Sequence, residues 1–184
     1  MIPASGRAPD RTLIRTAFVS TYPPWRCGIA TFTHDLAAVA GWGEIVALSP
    51  PDHQLLYPSE VHHRIRRDEA GDYARTARAL ARCGIDVVSI QHEYGIWGGA
   101  DGEHVLEFLH ALEIPAVATL HTVLRHPTPR QRRILVELVA LRLATSVVLS
   151  AHQARLDPDD PYLTVSEAPA WDLLGRLILT EPAT

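Results

Sequence analysis

The sequence predicts an α/β fold, a doubly wound, mostly parallel sheet with helices on both faces. Three patterns carry that expectation. Short β-branched runs alternate along the chain with longer segments whose apolar residues recur at helical spacing. The runs are nearly continuous in apolar character, as strands buried on both faces require. Several of them end in polar loops rich in glycine or proline that lead into a helix, which is where open α/β sheets bind ligands.

Composition sets bounds. With 184 residues, 47% apolar and 21% charged, the chain can bury the core of one soluble domain. A formal charge of -4 gives no electrostatic ground for a nucleic-acid partner. No apolar signal segment opens the sequence, and no apolar run is expected to approach the roughly 20 residues of a spanning helix, so a cytoplasmic location is expected. The two cysteines, Cys27 and Cys83, have no CxxC spacing and read as reduced thiols. All 17 basic residues are arginine, so neither a Schiff-base lysine nor a P-loop lysine can come from this chain.

In order, residues 1–14 are expected to be a loose leader. Thr16 to Thr21 reads as the first strand, Tyr22 to Gly28 as a turn, and Gly28 to Ala40 as a helix with Ile29, Phe32, Leu36 and Val39 or Ala40 on its apolar stripe. That helix start, opened by Gly28, faces a strand end and suits an anion, although a single glycine there serves equally to ease a tight turn. Glu44 to Ser49 is the second strand. Val61 to Ile65 is the third and belongs near the sheet edge; its His62 and His63 point to opposite faces and cannot chelate one ion. Asp68 to Cys83 is a helix bearing a stripe of Arg75, Arg78 and Arg82, read as a solvated face, with an anionic lipid or polyphosphate as the other use. Asp86 to Ile90 is a buried strand and Gly102 to Glu113 a helix. Pro115 to Leu120 is the next strand. A helix from Thr128, capped there with Pro129 in its first turn, runs to about Leu143. Thr145 to Leu149 then reads as a sixth strand, with Ser150 capping a short helix to Leu156. Residues 15–156 thus form one Rossmann-like domain, and 157–184 a divergent tail with an amphipathic helix, Ser166 to Leu179, whose apolar side holds Trp171, Leu174, Leu177 and Ile178.

The stretch Ser89 to Gly102, SIQHEYGIWGGADG, carries the chemistry. It places His92, Glu93 and Tyr94 on the rim beyond a strand end, with Gly95, Gly98 and Gly99 letting the backbone approach a ligand. His121 and Thr122 close the following strand on the same rim. Imidazoles there can hydrogen-bond hydroxyls or stabilise developing charge.

Three segments together, YPPWRCGIATFTHDLA, SIQHEYGIWGGADGEHVLEFL and ATLHTVLRHPTPRQRRIL, resemble the amino-terminal domain of retaining GT-B glycosyltransferases of the glycosyltransferase family 4 group. The resemblance spans roughly Arg15 to Leu156. It implies one half of a GT-B fold, the half that binds the acceptor, a sugar or a lipid-linked acceptor. It implies that the Gly28 loop approaches the donor phosphates, that His121 and His92 are the catalytic histidines, and that Glu93, Tyr94, Gly98, Gly99 and Thr122 contact substrate. It implies no metal, and no cofactor held by this chain alone; a nucleotide sugar would be the donor substrate.

The departures shape the expectation. The family's donor-binding domain carries an Arg-Lys pair and a Glu-x7-Glu motif. This sequence has no lysine and no two glutamates so spaced. The expected function is therefore that of a truncated or split glycosyltransferase, inactive alone and needing a separate donor-binding half. The alternative is a non-catalytic module for a saccharide or an anionic lipid, with peripheral membrane contact. A zinc hydrolase built on His92, Glu93 and His121 is the third reading.

Overall fold

The structure, a computed structural model, describes residues 14–41, 43–51 and 55–179, with backbone alone at 178 and 179. The leader expected over 1–14 falls outside these apart from Ile14, as does the side chain of Ile178. Five strands, β1 (Thr16–Ser20), β2 (Glu44–Ser49), β3 (Val61–Arg66), β4 (Val87–His92) and β5 (Ala116–Leu120), form one sheet in the order β3-β2-β1-β4-β5. Every pairing is parallel. The chain runs from the centre to one edge and then crosses back through α2 (Ala70–Arg82) to build the other half. This is the doubly wound, Rossmann-like arrangement the sequence predicts. Its strand order reverses between β1 and β4, and such sheets open a ligand crevice beyond the carboxyl ends at that point.

Side chains alternate across each strand and so sort the core into two layers. Phe18, Ile45 and Ala47 meet Tyr22 and Ala37 on the side of α1 (Gly28–Val39). Ala17, Val19, Val46, Leu48, Val88 and Ile90 turn the other way. There they meet Tyr73 and Leu80 of α2, Phe108 of α3 (His104–His110), and Ile134 and Leu138 of α4 (Pro129–Leu156). Each such fully buried side chain contributes about 1.5–3 kcal/mol, so the larger layer is the main source of stability.

The buried face of α1 is not the stripe that the apolar spacing predicts. Ala30, Thr33 and Ala37 are buried, whereas Phe32 is 43% and Val39 88% exposed. Small side chains let the helix lie close to the sheet, and Thr33 satisfies its hydroxyl by donating to the Ile29 carbonyl at 2.7 Å.

Other boundaries move by a few residues, and one element changes type. β4 runs on through Gln91 and His92 rather than ending at Ile90. The helix expected over 102–113 is α3 alone, entered through a 3-10 turn at Ala100–Gly102. The expected strand Thr145 to Leu149 lies inside α4, which continues unbroken to Leu156. No glycine or proline interrupts residues 130–156, and Thr145 follows Ile134, Leu138 and Leu141 at helical spacing. Its hydroxyl donates to Leu141 O at 2.9 Å and to Ala116 O of β5 at 3.1 Å. The helix thus takes the side of β5 where a sixth strand would have paired. Ser150, expected as a cap, sits buried within the helix, its Oγ 3.4 Å from Ser166 Oγ. The start of α4 is as expected: Thr128 Oγ1 accepts from Gln131 N and Gln131 Oε1 accepts from Thr128 N.

The tail helix, α5 (Glu167–Leu179), packs along α4 and buries Ala170. Trp171 is not on its inward side but 55% exposed, and Leu173 of the same helix and Val148 and Leu149 of α4 are also exposed. Among the described residues α4 alone is long and apolar enough to cross a membrane by length and composition, and its first turns are packed on the sheet through Ile134 and Leu138.

Candidate functional site

Three strand ends meet at the reversal of strand order. After β1, the turn through Tyr22 to Cys27 delivers the chain into α1. Cys27 caps that helix: its Sγ accepts from Ala30 N at 3.4 Å and lies 3.1 Å from Thr21 Oγ1. A thiol thus stands where a hydroxyl or carboxylate usually sits. Gly28 opens the first turn, and apart from its chain neighbours and the helix's own backbone nothing lies within 4 Å of the place a Cβ would take. The helix end, with the positive character of its N–H groups, carries the Cys27 cap on Ala30 N and no side chain at position 28.

β4 ends in Gln91 and His92, and strand alternation sends them to opposite faces. Gln91 lies on the α1 side. Its Nε2 donates to Ser89 Oγ at 3.2 Å, so its Oε1 is the acceptor for His121 Nε2–H at 3.0 Å. This places the proton of a neutral His121 on Nε2 and leaves Nδ1 as an acceptor, an assignment that follows from the network. His121 is exposed. Its ring meets Phe32 edge-on, centroids 5.1 Å apart at 85°. Phe32 lies one helical turn from Gly28 on the same face of α1, so Gly28, Phe32 and His121 line one wall. Beyond the sheet, Thr122 Oγ1 donates to Glu93 Oε2, and His121 N donates to His92 O at 2.9 Å, tying the ends of β4 and β5 together.

His92 is not on the rim. It is 1% exposed, with Tyr94 edge-on at 4.8 Å and Trp97 stacked at 6.4 Å. Neither ring nitrogen has a hydrogen-bond partner among the described residues. Burial lowers its pKa to about 4, with Glu93 opposing and His121 assisting the shift. The ring is neutral at neutral pH and lies under the rim, shielded from solvent. Tyr94 is likewise buried, its hydroxyl 3.5 Å from Gln131 O. The side chains of His92 and His121 therefore do not converge, although their backbones are bonded. Among the described residues no three His, Cys, Asp or Glu side chains gather to hold a metal ion.

The loop glycines serve the fold first. A Cβ on Gly98 would stand 1.7 Å from Arg67 O, and one on Gly102, at φ +82°, 2.6 Å from Tyr94 O. Gly98 N donates to Tyr73 Oη at 3.0 Å, which donates to Arg67 O at 2.7 Å. A Cβ on Gly99, at φ +78°, would meet His104 and Glu103, and Gly99 lines, with Gly98 and Tyr94, the cavity beside this loop. Beside this loop a cavity of about 380 Å³ is lined by Arg67, Asp68, Gly95, Trp97, Asp101 and Gln131 among others. Of the residues that shape the site, spacing marks Phe32 only as part of an apolar stripe and does not mark Gln91, Asp101 or Trp97 at all. Only the alternation after a longer β4 would have separated Gln91 from His92.

As a class, then, this is a Rossmann-like α/β unit with polar side chains and a helix amino terminus at its switch point. Compared with protein-family models, with curated proteins and with solved structures, the chain finds no match in any of the three.

Proposed function

We propose that these residues supply the acceptor-binding half of the cleft of a retaining, nucleotide-sugar-dependent glycosyltransferase, and that transfer needs a donor-binding half they do not contain. The observation that carries the reading is the ring contact of Phe32 with His121, one helical turn from Gly28, at the reversal of strand order. They come from two of the three segments that resemble glycosyltransferase family 4, and the third, through Gln91 and Glu93, holds His121 and Thr122 in place. In this reading the amino terminus of α1 faces the donor phosphates. His121, fixed by Gln91, offers Nδ1 to a sugar hydroxyl, or donates from it when protonated. The pair Glu93–Thr122 offers a carboxylate oxygen to an acceptor hydroxyl. His92 is a positioning residue under the rim, which revises the catalytic role implied by resemblance. A cytoplasmic location belongs to the same proposal.

The test supplies the GT-B donor domain of a glycosyltransferase family 4 enzyme in trans and follows transfer from labelled nucleotide sugars. Transfer that appears only in the mixture, and falls at least ~100-fold with His121→Ala, as loss of a transition-state contact does, supports the reading. No transfer with any donor half removes it. A second reading, a saccharide- or anionic-lipid-binding module without chemistry, is favoured by the burial of His92. Saturable ligand binding with no turnover in any mixture would select it.

A further inference from the structure

We propose that α4 carries a dimer seam: the stripe that packs it on the sheet runs on beyond the sheet, and a second, antiparallel copy of this chain covers it. Ile134, Leu138, Leu141, Thr145, Val148 and His152 follow one another at steps of four and three, the heptad spacing of a stripe that meets another helix. The first three pack on the core. Thr145 bonds to the carbonyl of Ala116, the first residue of β5, so the edge strand ends at that level. From Thr145 to Leu156 the helix runs on for about 16 Å.

That overhang is apolar and uncovered. Val148, Leu149 and Leu156 are 61%, 51% and 73% exposed, and His152 beside them is exposed. α5 takes another face of α4: Ser150, buried with its hydroxyl near that of Ser166, points about 200° around the helix from Val148. α4 is apolar enough by composition to cross a membrane, yet only 22% of its apolar window is buried. Apolar surface left open in this way marks an interaction site.

Spacing and charge choose the occupant. The stripe is narrow, with Arg142, Gln153 and Arg155 exposed on its flanks, the shape that receives a helix. From 157 to 177 the chain carries Asp157, Asp159, Asp160, Glu167 and Asp172 against Arg176 alone, an acidic surplus that anionic lipid headgroups repel. The same surplus suits a second copy. Complete antiparallel overlap of the two 145–156 segments brings Leu149 to the second copy's Leu149 and His152, sets Leu156 over its Thr145, and places Arg142 level with its Asp159. α4 ends at Leu156, so each seam stops at the level where the other copy's sheet begins. The contact is isologous, and each pairing occurs twice. It buries on the order of 1,200 Å² in total, the lower end of specific interfaces, which suits a dimer of micromolar affinity.

The test is sedimentation equilibrium of the full chain from about 1 to about 300 µM, a range that brackets such an affinity. A reversible dimer is expected. Leu149→Arg sets like charges across the two-fold axis and should weaken it at least ~tenfold, as loss of a central contact does. Arg142→Asp should weaken it too, and adding Asp159→Arg to that variant should restore most of the loss. All three side chains are exposed, and the melting temperature of each variant reports that it is folded. A monomer throughout the range overturns the proposal, and flotation of that monomer with phosphatidylcholine or phosphatidylglycerol vesicles assigns the stripe to a bilayer instead. A dimer indifferent to Leu149→Arg overturns the seam as its interface. A charge exchange that rescues nothing overturns the antiparallel register.

Discussion

A neutral, unpartnered imidazole at position 92 makes the folded protein sensitive to mild acid. The unfolded chain takes up a proton near pH 6.5, whereas the folded one resists until about pH 4. Between those values the unfolded state binds more protons, so stability falls as pH falls through that window, by up to ~3 kcal/mol, and is flat above it. Asp72 acts in a separate range. The Arg66 fork, at 2.8 and 2.9 Å, holds its carboxyl well below the usual range, burial opposes, and Arg75 adds to the lowering. Its contribution is complete above the ordinary carboxylate pKa and is lost only as pH falls further. Urea denaturation at pH 7.5 and 4.5 should therefore show a clear loss in the wild type and most of that loss abolished in His92→Phe; equal losses would contradict the burial of His92. The glycines offer a matched pair. Gly98→Ala, forced against Arg67 O, should destabilise by about 3 kcal/mol or more, and Gly95→Ala should change stability by less than about 0.5 kcal/mol, both read by thermal melting. From sequence these two glycines look alike, because which one touches backbone depends on the turn carrying Arg67, 31 residues before Gly98.

At the scale of elements, the strands and α2 lie within a few residues of where the hydrophobic runs place them. The Thr128 cap of α4 was legible because capping chemistry is local. What was not legible was set by distant partners. Thr145 to Leu149 has the β-branched composition of a strand, yet its neighbours offer a helix with no break, and Ala116 O binds the Thr145 hydroxyl from the side. Ser146→Pro should then cost about 3 kcal/mol and lower the helical circular dichroism signal, as proline does inside a helix. A neutral outcome would point to an edge strand instead. α1 taught the same lesson in another form: its bulky residues mark the stripe by size, while packing against the sheet chose Ala30, Thr33 and Ala37. Its cap is also testable. Cys27→Ala should lose about 1 kcal/mol and Cys27→Ser should lose little, since a hydroxyl accepts the Ala30 N–H as well as the thiol does.

For the whole molecule, strand order is what turns separate segments into a site. The alternation of strands and helices foretold the doubly wound sheet, and with it the rim where His121, Thr122 and Glu93 stand. It could not foretell that His92 would be the last residue of β4 and face inward, because one residue more of strand reverses a side chain. In the proposed reading the wall of Gly28, Phe32 and His121 is one side of a cleft, and sugar transfer would need groups that face it. The most direct measurement is transfer from a labelled nucleotide sugar by the purified chain, alone and with a GT-B donor domain added. Turnover should be absent from the chain alone and appear, dependent on His121, in the mixture. Turnover by the unaccompanied chain, at the same rate as the mixture, would contradict the half-cleft reading outright.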